Sequence, residues 1–101
     1  MAGKLTSEEI SRRLAELEGW RMEAGTISKQ YVFDTFGAAM RFVNRVADLA
    51  EAADHHPDIA IHYRNVTLAL STHSAGGLTA KDFSLAGRID GTEGKAADQG
   101  R

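Results

Sequence analysis

The chain contains no cysteine, which excludes a disulfide framework and thiolate chemistry and fits a reducing compartment. Its single proline is Pro57. Charge of one sign is also scarce. The formal net charge is −2, which removes any general electrostatic case for nucleic acid or an anionic membrane. No stretch approaches the roughly 20 apolar residues that a membrane span needs. The first residues lack the basic region and apolar run of a secretory signal, so a cytoplasmic location is expected. What is present is ordinary for a globular protein: 43% apolar and 26% charged residues over 101 positions. That length supports one small domain with a modest core, which oligomerisation would enlarge.

Thr6-Ser-Glu-Glu9 reads as a capping box, and Ile10, Leu14 and Leu17 recur at helical spacing. Together they predict a first helix over about residues 7–18, stopped by Gly19. Trp20 to Glu23, the turn signal Ala24-Gly25, and Thr26 to Phe33 form a hairpin, with Ile27, Tyr31 and Phe33 in one phase. Asp34 or Thr35 can cap a second helix. Its main stripe is Phe36, Met40, Val43, Ala47 and Ala50, widened by Ala39, Phe42 and Val46. Arg41 and Arg45, like Arg12 and Arg13, read as solvated helix faces. This helix ends by His55, because the residue before Pro57 is pushed out of the α region. Ile59, Ile61 and Tyr63, then Val66, Leu68 and Leu70, alternate around a tight connection at Arg64-Asn65, which gives a second hairpin. Ser74 to Gly77 reads as a flexible loop. Thr79 to Asp82 resembles a capping box, with Leu78 and Phe83 at staple positions, and Gly91 is the expected end of the third helix.

The order α-β-β-α-β-β-α predicts an α+β, two-layer domain over residues 1–90. It has a four-stranded antiparallel sheet with three helices packed on one face. Residues 91–101, rich in Gly, Ala and charge, are expected to be a disordered tail.

The chemistry concentrates in Glu51-Ala-Ala-Asp54-His55-His56-Pro57, at the junction of helix and strand patterns. Glu51 and His55 stand four apart, which on a helix puts the carboxylate beside the imidazole and fixes its tautomer. A helix C-terminus also favours a cationic imidazole. His56 points elsewhere. His73 follows the returning strand of the second hairpin, which ends near the level of His55 and His56, so three imidazoles can line one pocket with Asp82 closing it. Two imidazoles on opposite sides of a substrate suit a reaction that moves two protons, such as a dehydration. Plainer readings stand beside this one. His-His-Pro also serves as a simple helix exit, Glu51 as a solvated carboxylate and Asp82 as a cap. Three histidines with a carboxylate can also bind zinc, although adjacent histidines rarely ligate one ion. His62 reads as exposed, and Trp20 as core or rim.

Glu51, His55-His56-Pro57, Tyr63, Thr72-His73 and Asp82 together resemble the signature of the pterin-4a-carbinolamine dehydratases. The Ser71-to-Asp82 segment and the Gly19-Trp20 pair are similar to that family too, so the likeness covers about Leu5 to Ile89. The resemblance implies dehydration of a 4a-hydroxytetrahydropterin to the quinonoid dihydropterin, after an aromatic amino-acid hydroxylase, by dimers or tetramers that use no cofactor and no metal. It implies that His55 and His73 are the acid/base pair, with His56 mainly holding the pterin. Glu51 and Asp82 orient the imidazoles. Asp54, Pro57 and the Ser71, Thr72, His73 and Ser74 segment line the substrate pocket. Some relatives act as coactivators or assembly partners instead, so a protein-binding module on the same fold is the alternative.

Overall fold

The computed structural model describes the backbone of residues 3–99 and the side chains of residues 3–92. Helix α1 (Ser7–Leu14) starts at the expected capping box. The Glu9 amide donates to Thr6 Oγ1 at 3.2 Å, and the Thr6 amide donates to Glu9 Oε1 at 3.0 Å. That backbone N–H, aided by the Thr6 hydroxyl, holds the Glu9 carboxyl below its ordinary range. The helix closes earlier than Gly19. Glu16 and Leu17 donate to carbonyls only three residues back, so the last turn tightens before the glycine turns the chain at φ +84°.

Four antiparallel strands follow: β1 (Arg21–Glu23), β2 (Thr26–Val32), β3 (Asp58–His62) and β4 (Asn65–Leu70), in spatial order β1-β2-β4-β3. Ala24 and Gly25 turn the first hairpin with both φ values positive, which matches the right-handed twist of the strands. The second hairpin turns at Tyr63-Arg64, one residue before the expected position, with His62 and Asn65 closing it. Tyr63 takes the positive-φ position and stacks its ring parallel to Phe36 at 6.5 Å.

Helix α2 (Phe36–Ala53) is capped by Thr35, whose hydroxyl accepts from the Ala38 amide at 3.0 Å. Its inward face is not the stripe favoured by spacing. Ala38, Ala39, Phe42, Val46 and Ala50 are buried, whereas Phe36 and Ala47 are exposed and Met40 and Val43 half-buried. Phe42 decides the rotation, because its ring seats between those of Tyr31 and Phe33, at 4.6 and 5.0 Å. The same rotation half-buries Arg41. Arg13 on α1 is likewise half-buried rather than solvated.

After β4, a 3₁₀ turn (His73–Ala75) sits inside a Thr72–Gly77 bridge, so the expected flexible loop is a hydrogen-bonded turn. Helix α3 (Ala80–Gln99) runs through Gly91. Glycine inside a helix costs only about 1 kcal/mol, and Gly91 is not among the positive-φ residues that would end one. The last two residues of the expected tail lie outside the described residues. Side chains from α2 and α3 meet the inner face of the sheet in one core, with Ile27, Tyr31, Val66, Leu68 and Leu70 beneath Val46, Leu85 and Ile89. Strand β3 stays outside it. It pairs only with β4, and Ile59 and Ile61, expected on an inward face, are exposed because no helix covers that edge.

Candidate active site

The junction between α2 and β3 sets the site. Asp54 ends α2 in the left-handed region at φ +51°, while its amide and that of His55 donate back to the Ala50 carbonyl. Aspartate is one of the few residues that visits this region readily. The consequence is that His55 and His56 leave the helix in different directions, and the four-residue spacing from Glu51 no longer applies. Glu51 does not meet His55. Instead Glu51 Oε2 accepts from His56 Nε2 at 2.6 Å in an exposed pair. Glu51 thus pairs with His56 and not with His55, the partner its spacing favoured.

His55 turns inward and donates from Nε2 to Asp82 Oδ1 at 2.6 Å. Its side chain is 11% exposed and that of Asp82 is 0% exposed. Oδ2 of Asp82 accepts from the Thr72 hydroxyl at 2.8 Å and from the Thr79 amide at 3.0 Å. The Thr79 amide contact is the return half of the expected capping box. The Thr79 hydroxyl serves the Lys81 amide at 3.2 Å and meets the Thr72 hydroxyl at 2.9 Å. With three donors converging on it, Asp82 is a satisfied buried carboxylate. Because it accepts from Nε2, it leaves Nδ1 of His55 as the nitrogen free to work.

Continuing the β3–β4 register past Asp58–Ala69 brings His55 and His56 to the same end of the sheet as Ser71, Thr72 and His73. His55 and His73 each wall a described space, and these two spaces are distinct. His55 walls a space of about 410 Å³ between α2 and α3, with Ala53, Lys81, Ser84 and Arg88. His73 is exposed and walls a separate space of about 250 Å³, with Ser71, Thr72 and the β1–β2 turn. Asp82 bonds to one wall residue of each, His55 of the first and Thr72 of the second. Asp54 and Ser74 are exposed, and Pro57 is half-buried. His62 is exposed, and Trp20 lies in the core. Among the described residues no three His, Cys, Asp or Glu side chains gather into a metal-holding group, and no helix is long and apolar enough to cross a membrane.

Two features escaped the sequence reading. Thr72 turns its hydroxyl to Asp82. Asp90 on α3 collects three donors: Trp20 Nε1 at 3.0 Å, Lys29 Nζ at 2.9 Å and Tyr31 OH at 2.6 Å. Both had a signal. Thr72 shares the inward phase of Leu68 and Leu70, and Lys29 that of Ile27 and Tyr31. A polar side chain in the inward phase of a strand needs a buried partner.

Two imidazoles, each bonded to a carboxylate, thus stand at this end of the sheet. The family model for pterin 4 alpha carbinolamine dehydratase matches residues 3–92. The chain belongs to that family, and the activity its relatives are named for is that of a hydro-lyase. A relative from Roseiflexus castenholzii, named provisionally as a pterin-4-alpha-carbinolamine dehydratase, is 54% identical over 90 residues, which is 89% of this chain and 97% of the relative. A crystal structure described as a transcriptional coactivator/pterin dehydratase from Brucella melitensis superposes with a TM-score of 0.86 at 31% identity, covering 94% of this chain and 99% of that one. A pterin dehydratase-like protein described as a RuBisCO assembly factor of the alpha-carboxysome shares the fold, with a TM-score of 0.62 at 21% identity over 74% of this chain and 87% of that one.

Proposed function

We propose that the protein dehydrates a 4a-hydroxytetrahydropterin in tetrahydropterin recycling, in a cytoplasmic setting and downstream of an aromatic amino-acid hydroxylase. The functional unit is residues 1–90. The carrying observation is the Asp82 carboxylate, which is fully buried and bonded to His55 Nε2. Protonation of the 4a-hydroxyl lets it leave as water. Loss of the N5 proton lets the N5 lone pair form the C4a=N5 bond of the quinonoid dihydropterin. His55 and His73 are the acid and base of these two transfers. His56, held by Glu51, grips the pterin, and Asp54, Pro57, Ser71 and Ser74 line its place. No metal or other cofactor takes part in this scheme.

Steady-state kinetics on a 4a-hydroxytetrahydropterin test this reading. His55→Ala and His73→Ala are expected to lower kcat by roughly 10²- to 10⁴-fold, less whatever the uncatalysed dehydration hides. His56→Ala is expected chiefly to raise KM. A chelator is expected to change nothing. Three histidine variants all within about twofold of the parent would remove the acid/base assignment.

We also propose that the protein is a homo-oligomer built through β3. The motivation is its uncovered edge, with Ile59 and Ile61 exposed. Phe42 and Val46, which read from sequence as spare apolar surface on α2, are consumed by the core. Sedimentation is expected to show a dimer or tetramer at micromolar concentration, and a monomer would count against it. The same edge favours a second reading, a protein-binding module. On that reading the histidine variants lose no partner.

A further inference from the structure

We propose that the cavity between α2 and α3 is a second ligand site, which takes a small phosphomonoester with an apolar body through Lys81, Ser84 and Arg88. This goes beyond the dehydratase reading and does not depend on it. The cavity is about 410 Å³, and of the residues given to the pterin above only His55 walls it. Its size lies within the roughly 300–1,000 Å³ of sites for small organic molecules. Ala52, Ala53, Ala80 and Leu85 supply its apolar walls. Three of these are alanines, whose short side chains leave the gap between two helices unfilled.

The polar walls carry charge of one sign. Lys81, Ser84 and Arg88 stand at i, i+3 and i+7 on α3, so they share one helix face. Lys81 and Arg88 are roughly 10 Å apart along the axis with Ser84 between them, a span that two long side chains can close on one group. No carboxylate walls the cavity. Among the described residues, Lys81 and Arg88 have no ion-pair partner and the Ser84 hydroxyl has no hydrogen-bond partner. Two fixed positive charges match the charge of about −1.5 to −2 on a phosphomonoester, whose three terminal oxygens can accept from an ammonium, a guanidinium and a hydroxyl. A carboxylate offers one charge and two oxygens. Lys81 also lies in the first turn of α3, at the positive end of its dipole. The negative end of α2 is blunted there, because its Ala50 and Glu51 carbonyls accept from the amides of Asp54 and His55.

NMR titration of the full chain with phenyl phosphate, inorganic phosphate and benzoate, at fixed ionic strength, tests the site. Phenyl phosphate is expected to saturate one site per chain and to bind more tightly than the other two. It is expected to move the amide signals of Ser84 and Arg88 and the ring signals of His55. Lys81→Gln/Arg88→Gln keeps helix-favouring residues on an exposed face, and the cap at position 81 uses only the backbone amide, so the fold is kept. This double variant is expected to weaken phenyl phosphate by roughly 10-fold or more, the worth of one hydrogen bond to a charged group. Arg12→Gln/Arg21→Gln removes the same charge at exposed positions elsewhere and is expected to keep parental affinity. Binding that does not saturate, signals that move elsewhere, or equal weakening by the two double variants would overturn the site. Benzoate binding as tightly as phenyl phosphate would overturn the phosphomonoester class, and inorganic phosphate binding as tightly would overturn the apolar body. No pterin enters the titration, so loss of this site and loss of the dehydratase reading are separate results.

Discussion

Asp82→Asn is expected to lower kcat by roughly 10²- to 10⁴-fold, the worth of a positioned acid or base, with the fold intact. The hydrogen bonds dictate how the amide sits. Oδ2 accepts from both the Thr72 hydroxyl and the Thr79 amide, so the asparagine carbonyl must take that place. Its NH₂ group then faces His55 Nε2, where Oδ1 accepts in the parent at 2.6 Å. Nε2 must now accept, and the ring proton moves to Nδ1. The imidazole keeps its position, but Nδ1 now faces the substrate carrying the proton, which is the wrong tautomer. The double variant His55→Ala/Asp82→Asn is expected to be little worse than His55→Ala alone, because both changes remove one working unit. Stopped-flow rates with a thermal melt on each variant would check this. An Asp82→Asn enzyme with parental kcat would sink the tautomer argument even if His55→Ala were inactive.

The largest expected stability effect is remote from that chemistry. Asp90→Ala removes the shared acceptor of Trp20, Lys29 and Tyr31. It leaves the Lys29 ammonium, only 16% exposed, with the Glu18 carbonyl at 2.8 Å but no counter-charge. Stranding one partner of a largely buried ion pair costs about 3 kcal/mol or more. In a domain of this size each kcal/mol lowers Tm by roughly 4–8 °C. Lys29→Met/Asp90→Ala is expected to melt higher than Asp90→Ala, since an apolar stem in that position needs no acceptor. The opposite order would show that the carboxylate acts through its neutral donors alone. Activity of the folded fraction is expected to be unchanged in both.

These two carboxylates were unequally legible in the sequence. Asp82 carried a local sign, its place three residues after Thr79, and local signs of that kind survived: the Thr6–Glu9 cap, the Thr35 cap, the Ala24-Gly25 turn and the alternation of β2 and β4. The α+β order of elements followed from them. What did not survive was whatever depended on one backbone angle or on a distant partner. The Glu51–His55 pairing assumed that the helix continues, and Asp54 at φ +51° re-pairs Glu51 with His56. The stripe on α2 shifted because the Phe42 ring had a place waiting between Tyr31 and Phe33, on another element. Ile59 and Ile61 carried an inward pattern, but only the strand order makes β3 an edge. Asp90 sits in a helix with nothing nearby to mark it, and its donors lie 59 to 70 residues earlier.

That last separation sets a timetable for synthesis. Lys29 leaves the ribosome 61 residues ahead of the aspartate that neutralises it, and Trp20 leaves 70 ahead. At elongation rates of about 5–20 residues per second, the first hairpin waits roughly 3 to 12 s with an ammonium in the phase that faces the core. Over that interval, closing the half-made sheet over its own apolar face would bury the Lys29 ammonium without its counter-charge, which Asp90 supplies once it emerges.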